Sequence, residues 1–205
     1  MIWDRKNTVT LAVTGASGAA YGLRLLEQLI AADIRVWMML SDAARIVMEM
    51  EMGLSLPQSA DETRKLLTER YGAKEGQLSL FGRGEWTAPV ASGSNAPYAM
   101  VVCPCSMGTL SAIAHGSSDQ LLERAADVMI KENRKLILVP RETPYSAIHL
   151  ENMLKLSRIG VTILPPNPGF YNRPETIGDL VDFVVARVLD QLGVEQSLMP
   201  RWGEE

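Results

Sequence analysis

The residues of this chain best suited to chemistry sit in short turns that follow apolar runs. Gly15-Ala16-Ser17-Gly18 comes directly after the run 8–13 and opens a helical pattern. Glycine lets backbone N–H groups close on an anion, and a helix N-terminus adds favourable partial charge. The spacing G-x-x-G-x-x-x-G, through Gly22, departs from the dinucleotide fingerprint. The Tyr-x-x-x-Lys pair of short-chain reductases is also missing. The residues four beyond Tyr21, Tyr71, Tyr98, Tyr145 and Tyr171 are Leu25, Glu75, Val102, His149 and Glu175. The turn therefore predicts a mononucleotide phosphate in preference to NAD, with a ligand-free strand-to-helix turn as the alternative.

A second turn, Pro104-Cys105-Ser106-Met107-Gly108-Thr109, has hydroxyls that can cap a helix or meet a ligand, and Gly108 permits close approach. Ser41-Asp42 closes the run 35–40, Ser92 to Asn95 form a small polar loop, and Arg141-Glu142 follow the run 136–140. A charged pair directly after a buried strand suits a polar-headed ligand; an exposed ion pair is the plain alternative. Lys131, Arg124 and Arg187 are helix cations whose placement the spacing does not fix. Asn167-Pro168-Gly169-Phe170-Tyr171 reads as a rigid, aromatic lid or wall.

The elements that must position these turns alternate. Strand patterns fall at 8–13, 35–40, 85–89, 98–103, 136–139 and 161–164. Helical patterns fall at 19–32, 43–52, 61–71, from 106, and at 123–132, 146–159 and 176–192. This alternation predicts an α/β fold, a three-layer Rossmann-like domain with a parallel sheet and helices on both faces. A single domain is expected, with its core at about 8–192 and a tail at 193–205. In such sheets ligands lie beyond the carboxyl ends of the strands, where the polar turns fall.

Composition narrows the classes. Of 205 residues, 47% are hydrophobic and 21% charged, as in a globular chain. A net charge of -4, with no basic and aromatic cluster, argues against a nucleic-acid partner. No apolar run approaches the roughly 20 residues of a membrane span, and the N-terminus does not read as a signal peptide. The two cysteines, Cys103 and Cys105, are expected on one face of a strand end as small buried hydrophobes. Without a disulfide framework, the cytoplasm is the default compartment. Two histidines and no H-x-x-x-H or C-x-x-C leave no metal site expected. The tail Met199-Pro200-Arg201-Trp202 reads as an unanchored end that is compatible with subunit contacts.

Four motifs in one order resemble a known family. T-G-A-S-G-A-A-Y-G, P-C-S-M-G-T-L-S-A-I-A-H-G, L-V-P-R-E-T-P and P-P-N-P-G-F-Y are similar to segments of the UbiX flavin prenyltransferases, and the likeness runs from Thr8 to about Leu192. The resemblance implies a flavodoxin-like fold that binds FMN and assembles as a dodecamer. It implies transfer of a dimethylallyl group from dimethylallyl monophosphate to N5 and C6 of reduced FMN, without a metal. The prenylated FMN would serve a UbiD-type decarboxylase, linked to ubiquinone synthesis. Carried onto this chain, Gly15, Ala16, Ser17, Ser41, Ser106, Met107, Gly108, Thr109 and Arg141 would contact FMN. Tyr171, Arg187, Lys131, Arg124 and Gly93 would bind the prenyl phosphate. Glu142 would assist the leaving phosphate, Ser17 and Glu51 would handle the flavin proton, and Trp86 would line the prenyl pocket. If Glu51 or Glu142 is partly buried, a raised pKa is expected for one of them.

Two rivals remain. An FMN-dependent cysteine-type decarboxylase shares the fold, but such enzymes carry a histidine where this chain has Glu85 to Gly93, and P-A-S-A-N-T where it has Pro104 to Thr109. The other is a non-catalytic FMN-binding or carrier protein, in which Arg141, Glu142, Lys131 and Arg187 would be incidental surface charges.

Overall fold

The computed structural model describes residues 3–200 and 203. Six strands form one parallel sheet in the order β3-β2-β1-β4-β5-β6. They are β1 (Thr8–Val13), β2 (Arg35–Leu40), β3 (Leu78–Phe81), β4 (Ala99–Cys105), β5 (Lys135–Pro140) and β6 (Thr162–Ile163). The helices are α1 (Ala19–Ala31), α2 (Asp42–Met52), α3 (Ala60–Tyr71), α4 (Met107–His115), α5 (Leu121–Lys131), α6 (Ala147–Arg158) and α7 (Ile177–Leu192). This is the Rossmann strand order. Without the edge strand β3, the other five have the flavodoxin order, so both family names describe the sheet.

Strand alternation sends side chains to two cores. Val9, Leu11 and Val13 of β1 meet Leu23, Leu26 and Leu29 of α1, Met48 of α2, Leu67 of α3 and Val184 of α7. Ala12 faces the other layer, with Met100, Val102, Leu110 of α4, Met129 of α5 and Leu156 of α6. Truncating a fully buried leucine such as Leu26 to alanine costs about 2–5 kcal/mol. The strand order reverses between β1 and β4, and such a switch point leaves a crevice at the strands' carboxyl ends.

Two expectations from the sequence are corrected. Residues 85–89 are not a strand; the third strand is Leu78–Phe81, paired with β2 from Val36↔Leu78 to Met39↔Phe81. Its buried and half-buried side chains alternate along a polar-looking stretch, as on a sheet edge. The Glu85 carboxylate instead accepts the Gly82 N–H at 3.0 Å, closing a tight turn, and Pro89 starts a 3-10 turn. The cysteines are both buried, yet on opposite faces: Cys103 in the α1 layer, Cys105 in the α4 layer. A register shift in β4 between Val102 and Cys105 breaks the alternation.

Val194 and Leu198 of the tail pack, partly buried, against the α1-side core. Gln196 and Met199 exchange two hydrogen bonds, at 3.1 and 3.2 Å. Arg201 and Trp202 lie outside the described residues. Among the described residues, no helix is long and apolar enough to cross a membrane.

Candidate active site

β1 ends at Val13, and the chain must turn sharply to enter α1. Gly18 makes that turn with φ 111°, a left-handed conformation that favours glycine. Gly15 is required for a different reason: a Cβ there would collide with Ala43 at the start of α2. The amides of Gly18 and Ala19 are already occupied. Each donates to Glu51 Oε2 at 2.9 Å, so the last turn of α2 plugs the N-terminus of α1 with a carboxylate. The amides of Gly15, Ala16 and Ser17 have no hydrogen-bond partner among the described residues. They form an open cradle of donors beside the plug.

Glu51 is held by more than the amides. Partial burial pushes its carboxyl up, but hydrogen bonds from Ser17 and from the Gly18 and Ala19 amides, with the charge of Arg141, outweigh this and leave it below the ordinary value of 4.5. The raised pKa expected from burial is therefore corrected for Glu51: donors around the charged form win over desolvation. Arg141 Nε also donates to the Ser17 carbonyl at 3.2 Å, and its own amide bonds the Cys105 carbonyl at 3.2 Å. Ser17, Glu51 and Arg141, drawn from three distant segments, thus form one cluster at the β1–β4–β5 edge.

Ser41 and Ser106 stand at the starts of α2 and α4. Ser41 Oγ accepts the Ala44 N–H at 3.1 Å, and Ser106 Oγ the Thr109 N–H at 3.3 Å, so both cap helices. Thr109 and Met107 are buried behind this second turn, whereas a Cβ on Gly108 would reach nothing closer than Ser106 Oγ at 4.0 Å. The face of the turn above Gly108 is open. Glu142 follows Arg141, with its Oε1 accepting the Thr143 N–H at 3.2 Å.

The remaining candidates lie elsewhere in the chain. Tyr171 and Arg187 line one cleft of about 890 Å³ between β6, α7 and the segment after it, together with Asn167, Phe183 and Gln196. Tyr171 meets Phe183 edge-on at 5.7 Å, and Arg187 pairs with Asp190 at 2.6 Å. Lys131 ends α5, which starts beside Arg83 just past β3 and runs back towards the amino ends of the strands. There Lys131 pairs with Glu132 at 2.5 Å, and Gly93 packs so tightly that a Cβ would collide with Glu132 and come to 2.7 Å of Lys131 Nζ. Arg124 donates to the Ala91 carbonyl at 3.1 Å and pairs with Asp127 at 2.8 Å. Trp86 is half exposed in the turn after β3. Among the described residues, no hydrogen bond, ion pair or ring contact ties Trp86, Lys131 or Arg187 to Ser17, Glu51 or Arg141.

The sequence reading missed the acidic partners Glu132, Asp190 and Asp127. For the last two the signal was present, an acid three residues after each arginine. Among the described residues, no cluster of His, Cys, Asp and Glu could hold a metal ion.

The Flavoprotein family model matches residues 3–189. The flavin prenyltransferase UbiX of Pseudomonas aeruginosa is 57% identical over 197 residues, 96% of this chain and 94% of the relative. The chain belongs to the UbiX flavin prenyltransferase family. Two solved UbiX-type structures superpose on it. AnUbiX, in complex with FMN and dimethylallyl pyrophosphate, has a TM-score of 0.86 at 38% identity, covering 97% of this chain and 98% of that one. A dodecameric FMN-dependent UbiX-like decarboxylase from Escherichia coli O157:H7 has a TM-score of 0.84 at 43% identity, covering 95% and 98%.

Proposed function

We propose that this chain joins the dimethylallyl group of dimethylallyl monophosphate to N5 and C6 of reduced FMN. The observation that carries the reading is the junction of an open anion cradle with the Ser17–Glu51–Arg141 cluster. Phosphate binding alone would need only the cradle; an ionised carboxylate joined to a serine hydroxyl beside it suits proton removal.

Gly15, Ala16 and Ser17 hold the FMN phosphate through their amides, aided by the Ser41 hydroxyl. Ser106, Met107, Gly108 and Thr109 bound the ring system from the start of α4, with Arg141 alongside. Reduced FMN would supply the electron-rich ring for the C5 group, losing its N5–H and C6–H protons as the two bonds form, one proton balancing the released phosphate and the other saturating the prenyl double bond. Tyr171 and Arg187 bind the prenyl phosphate, with Lys131, Arg124 and Gly93. Negative charge grows on that phosphate as its allylic C–O bond breaks, and these cations stabilise it most where water is excluded. Glu142 gives a proton to the departing phosphate. Ser17 passes the proton lost from the ring to Glu51, whose lowered pKa leaves it ionised and able to accept at neutral pH. The Trp86 face stabilises positive charge on the allylic carbon by about 0.5–2 kcal/mol.

The complete site joins copies of this chain. A homo-oligomer, with the dodecamer of the E. coli relative as its form, unites them. The product passes to a UbiD-type decarboxylase and so serves ubiquinone synthesis. The reaction runs in the cytoplasm, where the two buried cysteines remain thiols. Phosphate release tests the reading: under anaerobic conditions, dimethylallyl monophosphate should yield inorganic phosphate only when FMN is reduced. Equal release with oxidised FMN, or none in either state, contradicts it.

A further inference from the structure

We propose that Thr14 is a positioning residue that sets the separation of the two cofactor-binding turns. Its side chain is buried at 2% exposure, between β1 and β4. The hydroxyl makes two bonds at once. It donates to the Pro104 carbonyl at 2.8 Å and accepts the Ser106 N–H at 2.8 Å. The Thr14 amide adds a bond to the same Pro104 carbonyl at 3.2 Å.

The need for this clamp follows from the irregular end of β4. The register shift between Val102 and Cys105 takes Pro104 out of the regular ladder, and Ser106 lies just past the strand's end. The Ser106 amide then has no strand partner and the Pro104 carbonyl has only the Thr14 amide, and buried polar groups without partners are costly. A hydroxyl is the smallest group that both donates and accepts, so threonine serves both atoms, whereas valine of the same shape leaves the Ser106 N–H without its partner and the Pro104 carbonyl with the backbone amide alone. Thr14 directly precedes Gly15, and Ser106 directly precedes Met107. The clamp therefore joins the last fixed residue before the phosphate cradle to the cap of the ring-facing helix. A shift of either turn would spoil the simultaneous fit of phosphate and ring.

The inference rests on the two turns being the FMN site, and the test separates the two. The wild-type assembly, Thr14→Val and Thr14→Ser are titrated with FMN by flavin fluorescence well below their melting temperatures. The valine variant should bind about tenfold or more weakly, the equivalent of one buried hydrogen bond. The serine variant, which keeps the hydroxyl, should stay within about threefold of wild type. The visible circular dichroism of bound flavin should change for valine and not for serine, a signature that loss of stability alone does not produce. Valine binding as tightly as wild type, or serine failing as badly as valine, overturns the clamp. If valine does not fold, Thr14→Ala takes its place, and failure of both to fold assigns Thr14 to the fold alone and overturns it too. Wild type failing to bind FMN overturns the reading of the two turns themselves.

Discussion

Glu51 shares its carboxylate among the Gly18 and Ala19 amides and the Ser17 hydroxyl, so its charge is part of how α1 begins. Glu51→Gln keeps the shape but replaces one acceptor by an NH2 that faces N–H donors. A carboxylate at a helix N-terminus contributes about 0.5–1 kcal/mol. Because the folded pKa lies below the ordinary 4.5, that contribution is fully present above pH 4.5 and is lost as pH falls through the folded value. Urea unfolding should therefore show wild type more stable than Glu51→Gln at pH 7, with the gap closing below pH 4.5. A gap that stays constant down to pH 3 would remove the charge from the account. This cluster was only half legible in the sequence. The turn announced itself by glycine spacing, but the run Glu49-Met50-Glu51 does not say which carboxylate turns inward. The family resemblance singled out Glu51; the fold supplies the reason, since only its carboxylate reaches the α1 amides.

Among the elements, α1 follows the candidate cradle and packs on β4 through Gly22, where a Cβ would collide with the Cys103 carbonyl. In an open helix, Gly→Ala is stabilising by roughly 1 kcal/mol. Here the sign should reverse: Gly22→Ala should lower stability by about 1–3 kcal/mol, as overpacking does. A urea midpoint moving down at unchanged slope shows this; a midpoint moving up would mean that α1 lies further from the sheet. Periodicity disclosed most elements because the buried strands 8–13 and 35–40 and the amphipathic helices repeat their patterns plainly. It failed at β3, whose Leu78-Ser79-Leu80-Phe81 is too short to stand out from polar surroundings. It failed again at Cys103 and Cys105, because a register shift made by pairing between strands leaves no mark in local alternation.

At the scale of the whole molecule, the proposed function has copies of the chain share one site. If copies share a site, two inactive variants damaged in different clusters should restore each other. Lys131→Ala and Arg141→Ala, each inactive alone, should regain a substantial fraction of activity when dissociated and reassembled together. A mixture no more active than its parents would place each site within one chain. The cleft of Tyr171 and Arg187 was legible only as a Pro- and Gly-fixed loop and a helix cation, because its shape depends on β6 and α7 meeting in space. The central claim concerns what happens to the flavin, and mass spectrometry reads that directly. After anaerobic incubation of the enzyme with reduced FMN and dimethylallyl monophosphate, the flavin should gain one C5 unit. Flavin recovered at its original mass, under verified reducing conditions and with the enzyme bound to FMN, would contradict the account.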